Sequence, residues 1–236
     1  MSSSSTIQQP TKIKVTYFDF GVLGFGQPLK LLLEDSGTDY EYELIPLDRI
    51  DGWDEQQAKL MARGNHFGTF PMADFGDGKL RGGSVPLMRL ISRKIGKYLG
   101  SNEEDEYFLD TASDFYIDWQ RSFASNIHFR KPSLALQKDY KELLAPRMYK
   151  KFEHVYGLHD GPYILGHEIT YVDFLTYHNI NGDVRKDCQI DLNKWPNLLR
   201  FVKAFEERPA IKSYLSTIES GGSIFLLSQP SSSSNN

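Results

Sequence analysis

The stretch that decides the fold is Asn65-His66-Phe67-Gly68-Thr69-Phe70-Pro71-Met72-Ala73-Asp74-Phe75-Gly76-Asp77-Gly78-Lys79-Leu80-Arg81-Gly82-Gly83-Ser84. Phe70 to Phe75 has the make-up of a short strand beginning with proline, tolerated there because a first strand residue need not donate to the ladder. Gly76-Asp77-Gly78 predicts a tight hairpin, since Asp-Gly readily supplies the positive φ such turns need. Lys79 to Arg81 is then a return strand. Gly82-Gly83 breaks it, and Ser84 stands where it can cap a helix over Val85 to Ile95, with Pro86 in the first turn, where a missing N–H costs nothing. A glycine pair feeding a helix N-terminus is also suited to an anion. Taken alone, the stretch reads more simply as an ordinary, well-capped strand–turn–helix.

Moving outward, Ile13, Val15 and Tyr17 alternate with Lys14, Thr16 and Phe18, the period of a strand. Gly21-Val22-Leu23-Gly24-Phe25-Gly26 is a loop, because glycine at three of six positions defeats helix and strand alike. Gln27 to Asp35 predicts a helix, with Pro28 in its first turn and Gly37 past its end. Tyr40 to Pro46 is a second strand, and strand–helix–strand implies parallel pairing with a right-handed crossover. Asp48 to His66 has the least regular pattern, with Trp53 in a polar setting. The N-terminal half is thus βαβ followed by ββα over residues 12–98.

From the acidic run Glu103-Glu104-Asp105-Glu106 onward the pattern is helical. Negative charge in that run favours a helix N-terminus, so a second domain is placed at 104–222. Phe108, Ala112, Phe115, Trp119, Phe123 and Ile127 recur at helical spacing and predict one apolar face. Asp110, Asp114 and Asp118 lie four apart on another face, which reads as a solvated acidic stripe for the first two, with divalent-cation binding as the weaker reading. Leu134 to Tyr156 is a second long helix that Pro146 should kink. Thr170 and Asp173 form a capping box, with Ile169 and Phe174 as its hydrophobic staple.

Composition narrows the class. With 236 residues, 40% hydrophobic and 25% charged, the chain has the make-up of a soluble globular protein with room for two modest domains. A net charge of −4 argues against a nucleic-acid binder. The single cysteine, Cys188, excludes an intramolecular disulfide and a zinc cluster of cysteines, and suits a reducing cytoplasm. Residues 1–11 and 223–236 read as tails, the latter ending in the polar run Ser231 to Asn236, and the former is without the basic start and apolar run of a signal peptide. No stretch approaches the roughly 18 apolar residues of a membrane span. The six histidines show no metal-ligand spacing, and no metal is expected.

The order strand, proline, hairpin, strand, Gly-Ser, helix resembles the second half of the thioredoxin-like domain of cytosolic glutathione transferases, and the Thr-x-x-Asp box matches that family's helical domain. The resemblance covers about residues 12–218. It implies an α/β thioredoxin-like N-terminal domain plus an all-α C-terminal helical domain, a homodimer, and glutathione as co-substrate with no other cofactor. Carried over, Phe70 supplies a backbone pair to the cysteinyl part of glutathione, Pro71 a cis bond, and Ser84 a hydrogen bond to the γ-glutamyl carboxylate. Gly83 stands where the family usually has Gln or Glu. Trp53 and Lys59 match residues at the glycyl end, and Asp118 the aspartate that reaches the γ-glutamyl amine in the neighbouring subunit.

The resemblance also implies the chemistry. A cysteine-like thiol has a pKa near ~8.5, so it must be ionised to act as a nucleophile. The family does this with Tyr, Ser or Cys near the end of the first strand. Tyr17 to Asp35 contains neither Ser nor Cys, which leaves Tyr17, in a Val15-Thr16-Tyr17-Phe18 segment resembling mu- and sigma-like members. Without the resemblance Tyr17 reads as a core tyrosine. The loop after it is about two residues longer than in relatives and lacks their arginine. A flexible, apolar lip is expected, with Phe20, Leu23 and Phe25 lining an electrophile site and Arg121 on the opposite wall. The function implied is addition of the glutathione thiolate to hydrophobic electrophiles, as in detoxification. The alternatives are a glutathione-dependent isomerase on the same site and a non-catalytic scaffold of the same fold.

Overall fold

The computed structural model describes residues 12–47, 53–128 and 131–218. Strands β1 (Ile13–Phe18), β2 (Tyr40–Ile45), β3 (Met72–Asp74) and β4 (Leu80–Gly82) form one sheet in the order β2-β1-β3-β4. β1 pairs parallel with β2, with Tyr17 opposite Leu44, and antiparallel with β3, with Thr16 opposite Met72. Helices α1 (Gln27–Ser36), α2 (Trp53–Ala62) and α3 (Ser84–Ile95) complete this unit. The central strand buries Thr16 and Phe18 as well as Ile13, Val15 and Tyr17. Strict alternation at a half-buried face is therefore not what the chain uses here.

Three local expectations need correction. The Phe70–Pro71 bond is cis, but both residues precede β3, which begins at Met72. Ser84 does not cap α3: Gly83 is the N-cap at φ 101°, and Ser84 is the first helical residue. The region 48–66 contains the regular helix α2, although residues 48–52 lie outside the described ones. The predicted turn is present, with Gly76 and Gly78 at φ 82° and 70° and both N–H groups donating to Asp74 Oδ1.

The helical unit comprises α4 (Glu103–Phe123), α5 (Leu134–Asp139), α6 (Ala145–Val155), α7 (Tyr171–Arg185), α8 (Pro196–Glu207) and α9 (Pro209–Ser216). Asn102 caps α4 through the Asp105 N–H at 3.0 Å. The inward face of α4 is Leu109, Ala112, Ser113, Tyr116, Trp119, Gln120 and Phe123. Phe115, expected inside, is 39% exposed, so the buried stripe is rotated and carries polar members. Near Pro146 the predicted break takes the form of a π-helical turn over Tyr140–Leu144, with Pro146 in the first turn of α6. The tails predicted at 1–11 and 223–236 lie outside the described residues.

α7 is buried from Tyr171 to Asp183 and is the axis of this unit. Its capping box is in place, and the wholly buried Asp173 carboxylate also accepts from the Tyr156 hydroxyl at 2.8 Å and the Ile164 N–H at 3.0 Å. The two units are tied by Arg208, which donates to Asp35 at 2.7 and 2.5 Å, and by Arg89, whose Nε lies 2.8 Å from Asp110. Asp110 also accepts from the Tyr171 hydroxyl, so this exposed member of the acidic stripe doubles as a cross-link, while Asp114 is simply exposed. Among the described residues no helix is long and apolar enough to cross a membrane, and no His/Cys/Asp/Glu group is placed to hold a metal ion.

Candidate functional site

Tyr17 sits near the C-terminal end of β1 with only 4% of its surface exposed. Its hydroxyl accepts a hydrogen bond from the Phe25 backbone N–H at 2.8 Å. Burial pushes the phenol well above its usual value, opposed in part by the Phe25 and Gly26 backbone N–H groups. Tyr17 is therefore a neutral donor across the physiological range. Because Phe25 supplies a bond to the oxygen, the hydroxyl proton remains for another acceptor.

Ser84 is reached through the same residue. Its hydroxyl donates to the Phe25 carbonyl at 2.7 Å. One residue of the 21–26 segment thus bridges the two side chains expected to handle the thiol and the carboxylate. The segment is not the free lip anticipated. It begins with a 3-10 turn at Gly21–Leu23, the Gly24 carbonyl accepts from the Gln27 N–H at 3.0 Å, and the Leu23 carbonyl accepts from Gln120 Nε2 at 3.2 Å. The glycines permit this approach. A Cβ at Gly26 would stand 2.4 Å from Tyr42 Oη and 2.6 Å from Tyr17 Cδ1, and one at Gly24 would stand 2.7 Å from Tyr17 Cε1.

The other predicted residues divide. Phe70 is partly buried, its ring 4.7 Å from that of Phe18, directly before Pro71. Asn65, buried and not anticipated, shapes this corner by accepting from the Thr69 N–H and donating to the Thr69 carbonyl. Phe20 stacks beside Tyr17, with ring centroids 5.7 Å apart. Leu23 is mostly core, yet with Phe20 it also borders a cavity of about 670 Å³ whose other wall is Val184 to Asp187 at the end of α7. Arg121 is exposed on the last turn of α4. One residue earlier, roughly 100° around the helix, Gln120 faces the loop instead. Lys59 is engaged with Glu55 at 2.8 Å on the outer side of α2, and the Trp53 side chain lies outside the described residues. Asp118 is exposed on α4.

Two residues that sequence reasoning passed over close the site from the helical unit. Tyr116 is fully buried; burial holds its phenol above the usual range, with Tyr17 and the Ser84 hydroxyl as neighbours. Its oxygen lies 3.2 Å from His178 Nδ1 on α7. Burial pushes His178 down to about 3, so the imidazole is neutral. The available signal is weak: Tyr116 and Gln120 are four apart, a polar pair at helical spacing with no motif to single it out.

Comparison with known proteins agrees with this architecture. A profile described as "Glutathione S-transferase, C-terminal domain" matches residues 117–217. The class-mu 26 kDa glutathione S-transferase isozyme of Schistosoma mansoni is 31% identical over 196 residues, covering 83% of this chain and 85% of its own. Glutathione S-transferase P 10 of Caenorhabditis elegans is 27% identical over 199 residues, covering 83% and 88%. The solved Pi-class glutathione S-transferase of Onchocerca volvulus superimposes with a TM-score of 0.73 at 23% identity, covering 87% of this chain and 92% of the other, a likeness of fold. With 31% identity across most of both chains, this protein belongs to the glutathione S-transferase family.

Proposed function

We propose that this protein is a glutathione transferase in which the Tyr17 hydroxyl donates to the glutathione thiolate, readying it for addition to hydrophobic electrophiles. The observation that carries this reading is the Phe25 bridge. It turns the Tyr17 oxygen toward the Phe25 N–H and leaves the phenolic proton for the sulfur. The names of the relatives favour transfer over the isomerase and scaffold readings.

Binding then requires an exchange at Ser84. Its hydroxyl donates to the Phe25 carbonyl, a neutral acceptor. A γ-glutamyl carboxylate is a charged acceptor, and such hydrogen bonds are shorter and roughly twice as strong. The carboxylate therefore displaces the carbonyl as acceptor of the Ser84 hydrogen bond, helped by the first-turn N–H groups of α3 beyond Gly83. The Phe70 backbone, next to Pro71, pairs with the cysteinyl unit. Trp53 and Lys59 serve the glycyl end, where Lys59 gives up only an exposed ion pair with Glu55, of little worth to stability. Phe20 and Phe25 receive the apolar electrophile. The compartment is the cytoplasm, where the lone Cys188 stays a thiol. The test is conjugation of an aryl halide with glutathione beside retention on glutathione resin. Turnover with retention is expected; the absence of both overturns the reading.

Asp118 completes the site from a second copy of the chain, in a two-fold dimer. Asp118→Asn removes a charge-assisted hydrogen bond of about 1.5–3 kcal/mol, so glutathione affinity falls about tenfold or more while the dimer persists. Titration calorimetry with light scattering checks this. A monomeric mass with undiminished affinity in the variant would overturn it.

A further inference from the structure

Gln120 is 1% exposed, and of its amide only the donor is used: Nε2 binds the Leu23 carbonyl at 3.2 Å, while Oε1 has no partner. A buried amide with an unpaired acceptor is unfavourable. A leucine of similar length would pack at this position without that penalty. What the glutamine adds is an anchor for the segment that carries Phe25, two residues beyond Leu23. That anchor comes from α4, in the other structural unit, so the helical unit sets the position of a group that touches Tyr17.

We propose that Gln120 is a positioning residue for Tyr17: by holding the Leu23 carbonyl it keeps the Phe25 N–H on the Tyr17 oxygen, and so strengthens Tyr17 as donor to the thiolate. This rests on the thiol-activating role assigned to Tyr17 above. The physical step is polarisation along a chain of hydrogen bonds. A phenol whose oxygen accepts an N–H gives up its own proton density more readily. Without the Gln120 anchor the Leu23 end of the strap is loosened, and the Phe25 N–H sits less squarely on the Tyr17 oxygen, while Ser84 and the Gln27 N–H still hold Phe25 and Gly24.

The titratable and charged groups around Tyr17 and the strap are common to parent and variants, including Arg185, Lys186 and Asp187 at the end of α7, which line the cavity beside Leu23. Tyr42 on β2 and Tyr116 on α4 are both phenols pushed up by burial, and His178 on α7 is held neutral. Ser84 on α3 carries no charge. Lys30 on α1 places its cation 5.2 Å from the Tyr42 ring centre, and substitution at position 120 leaves it untouched.

The test is the pH profile of conjugation and the ultraviolet thiolate absorbance of bound glutathione for Gln120→Leu, Tyr17→Phe and the double variant. For Gln120→Leu the apparent pKa of the bound thiol should rise by about half to one unit, and the rate near pH ~6.5 should fall about three- to tenfold, converging with the parent above pH ~9. The double variant should match Tyr17→Phe alone, because Gln120 acts only through that hydroxyl. If Gln120→Leu does not fold, Gln120→Met, which keeps the length and lacks both the amide donor and any charge, is expected to show the same upward shift. A parent-like profile in whichever variant folds, with only melting temperature lowered, overturns the inference while Tyr17→Phe still shifts. If Tyr17→Phe itself leaves the profile unchanged, the thiol-activation reading fails, and this one with it.

Discussion

Tyr17→Phe is expected to lower conjugation near pH ~6.5 by about tenfold or more. The ring and its packing against Phe20 remain; only the donor is lost. A hydrogen bond to a charged group is worth about 1.5–3 kcal/mol. At about 1.36 kcal/mol per unit, that places the bound thiol one to two units below its free value of ~8.5, largely ionised at neutral pH. Removing the donor returns the thiol to its free value. The deficit should therefore shrink as pH rises past ~9, where the thiol ionises unaided. Because burial keeps the Tyr17 phenol well above its ordinary range, no loss of donor function intervenes in that window. Glutathione affinity should change little, since the proposed contacts to the rest of the tripeptide do not involve Tyr17. Equal rates and equal thiolate absorbance for both proteins near pH ~6.5 would reduce Tyr17 to a core residue.

Asp173→Ala should be the most destabilising single change, on the order of 4 kcal/mol. It strips the acceptor from the Thr170 N–H at 2.7 Å, the Thr170 hydroxyl at 2.9 Å, the Tyr156 hydroxyl and the Ile164 N–H, all buried. Thr170→Ala loses only the cap, about 0.5–2 kcal/mol, and activity per folded molecule should persist. Burial pushes the Asp173 carboxyl up to about 6 from a usual 3.8, against those four donors. The native state therefore holds this proton more tightly than the unfolded chain. Its contribution is fully present below about pH 4 and is lost as pH rises through about 6. Urea unfolding of the parent, Asp173→Ala and Thr170→Ala reads the sizes of these losses, and the same measurement on the parent and Asp173→Asn at several pH values reads the pH dependence. A parent whose stability rises steadily between pH ~4 and ~6, with a variant that follows the same curve, would contradict this.

The order of elements was legible because it rests on local chemistry. The Asp-Gly turn and the Thr170–Asp173 box act within four residues, and each is found where the residues place it; the proline at 71 marks the approach to β3 rather than its first residue. Ser84 was misjudged as a cap because two glycines precede it, and Gly83 takes the positive φ that lets the chain enter α3 directly. The inward face of α4 was misjudged for a related reason. Apolar spacing identifies a stripe, but the stripe shifts when Ser113, Tyr116 and Gln120 find partners inside.

What the residues alone determined is the sheet-plus-helix plan and the switch to helices at Glu103; Tyr17 and Ser84 became the side chains to watch only through the family resemblance those motifs carry. Only the tertiary structure decided that the glycine-rich segment after β1 is strapped down, that Phe25 joins Tyr17 to Ser84, and that Gln120, not Arg121, meets it from α4. The physical reason is separation along the chain. Ser84 and Phe25 are 59 residues apart, and Gln120 and Leu23 are 97 apart. A backbone carbonyl has no residue-specific signature, so its partner is chosen only when packing brings a donor within about 3 Å.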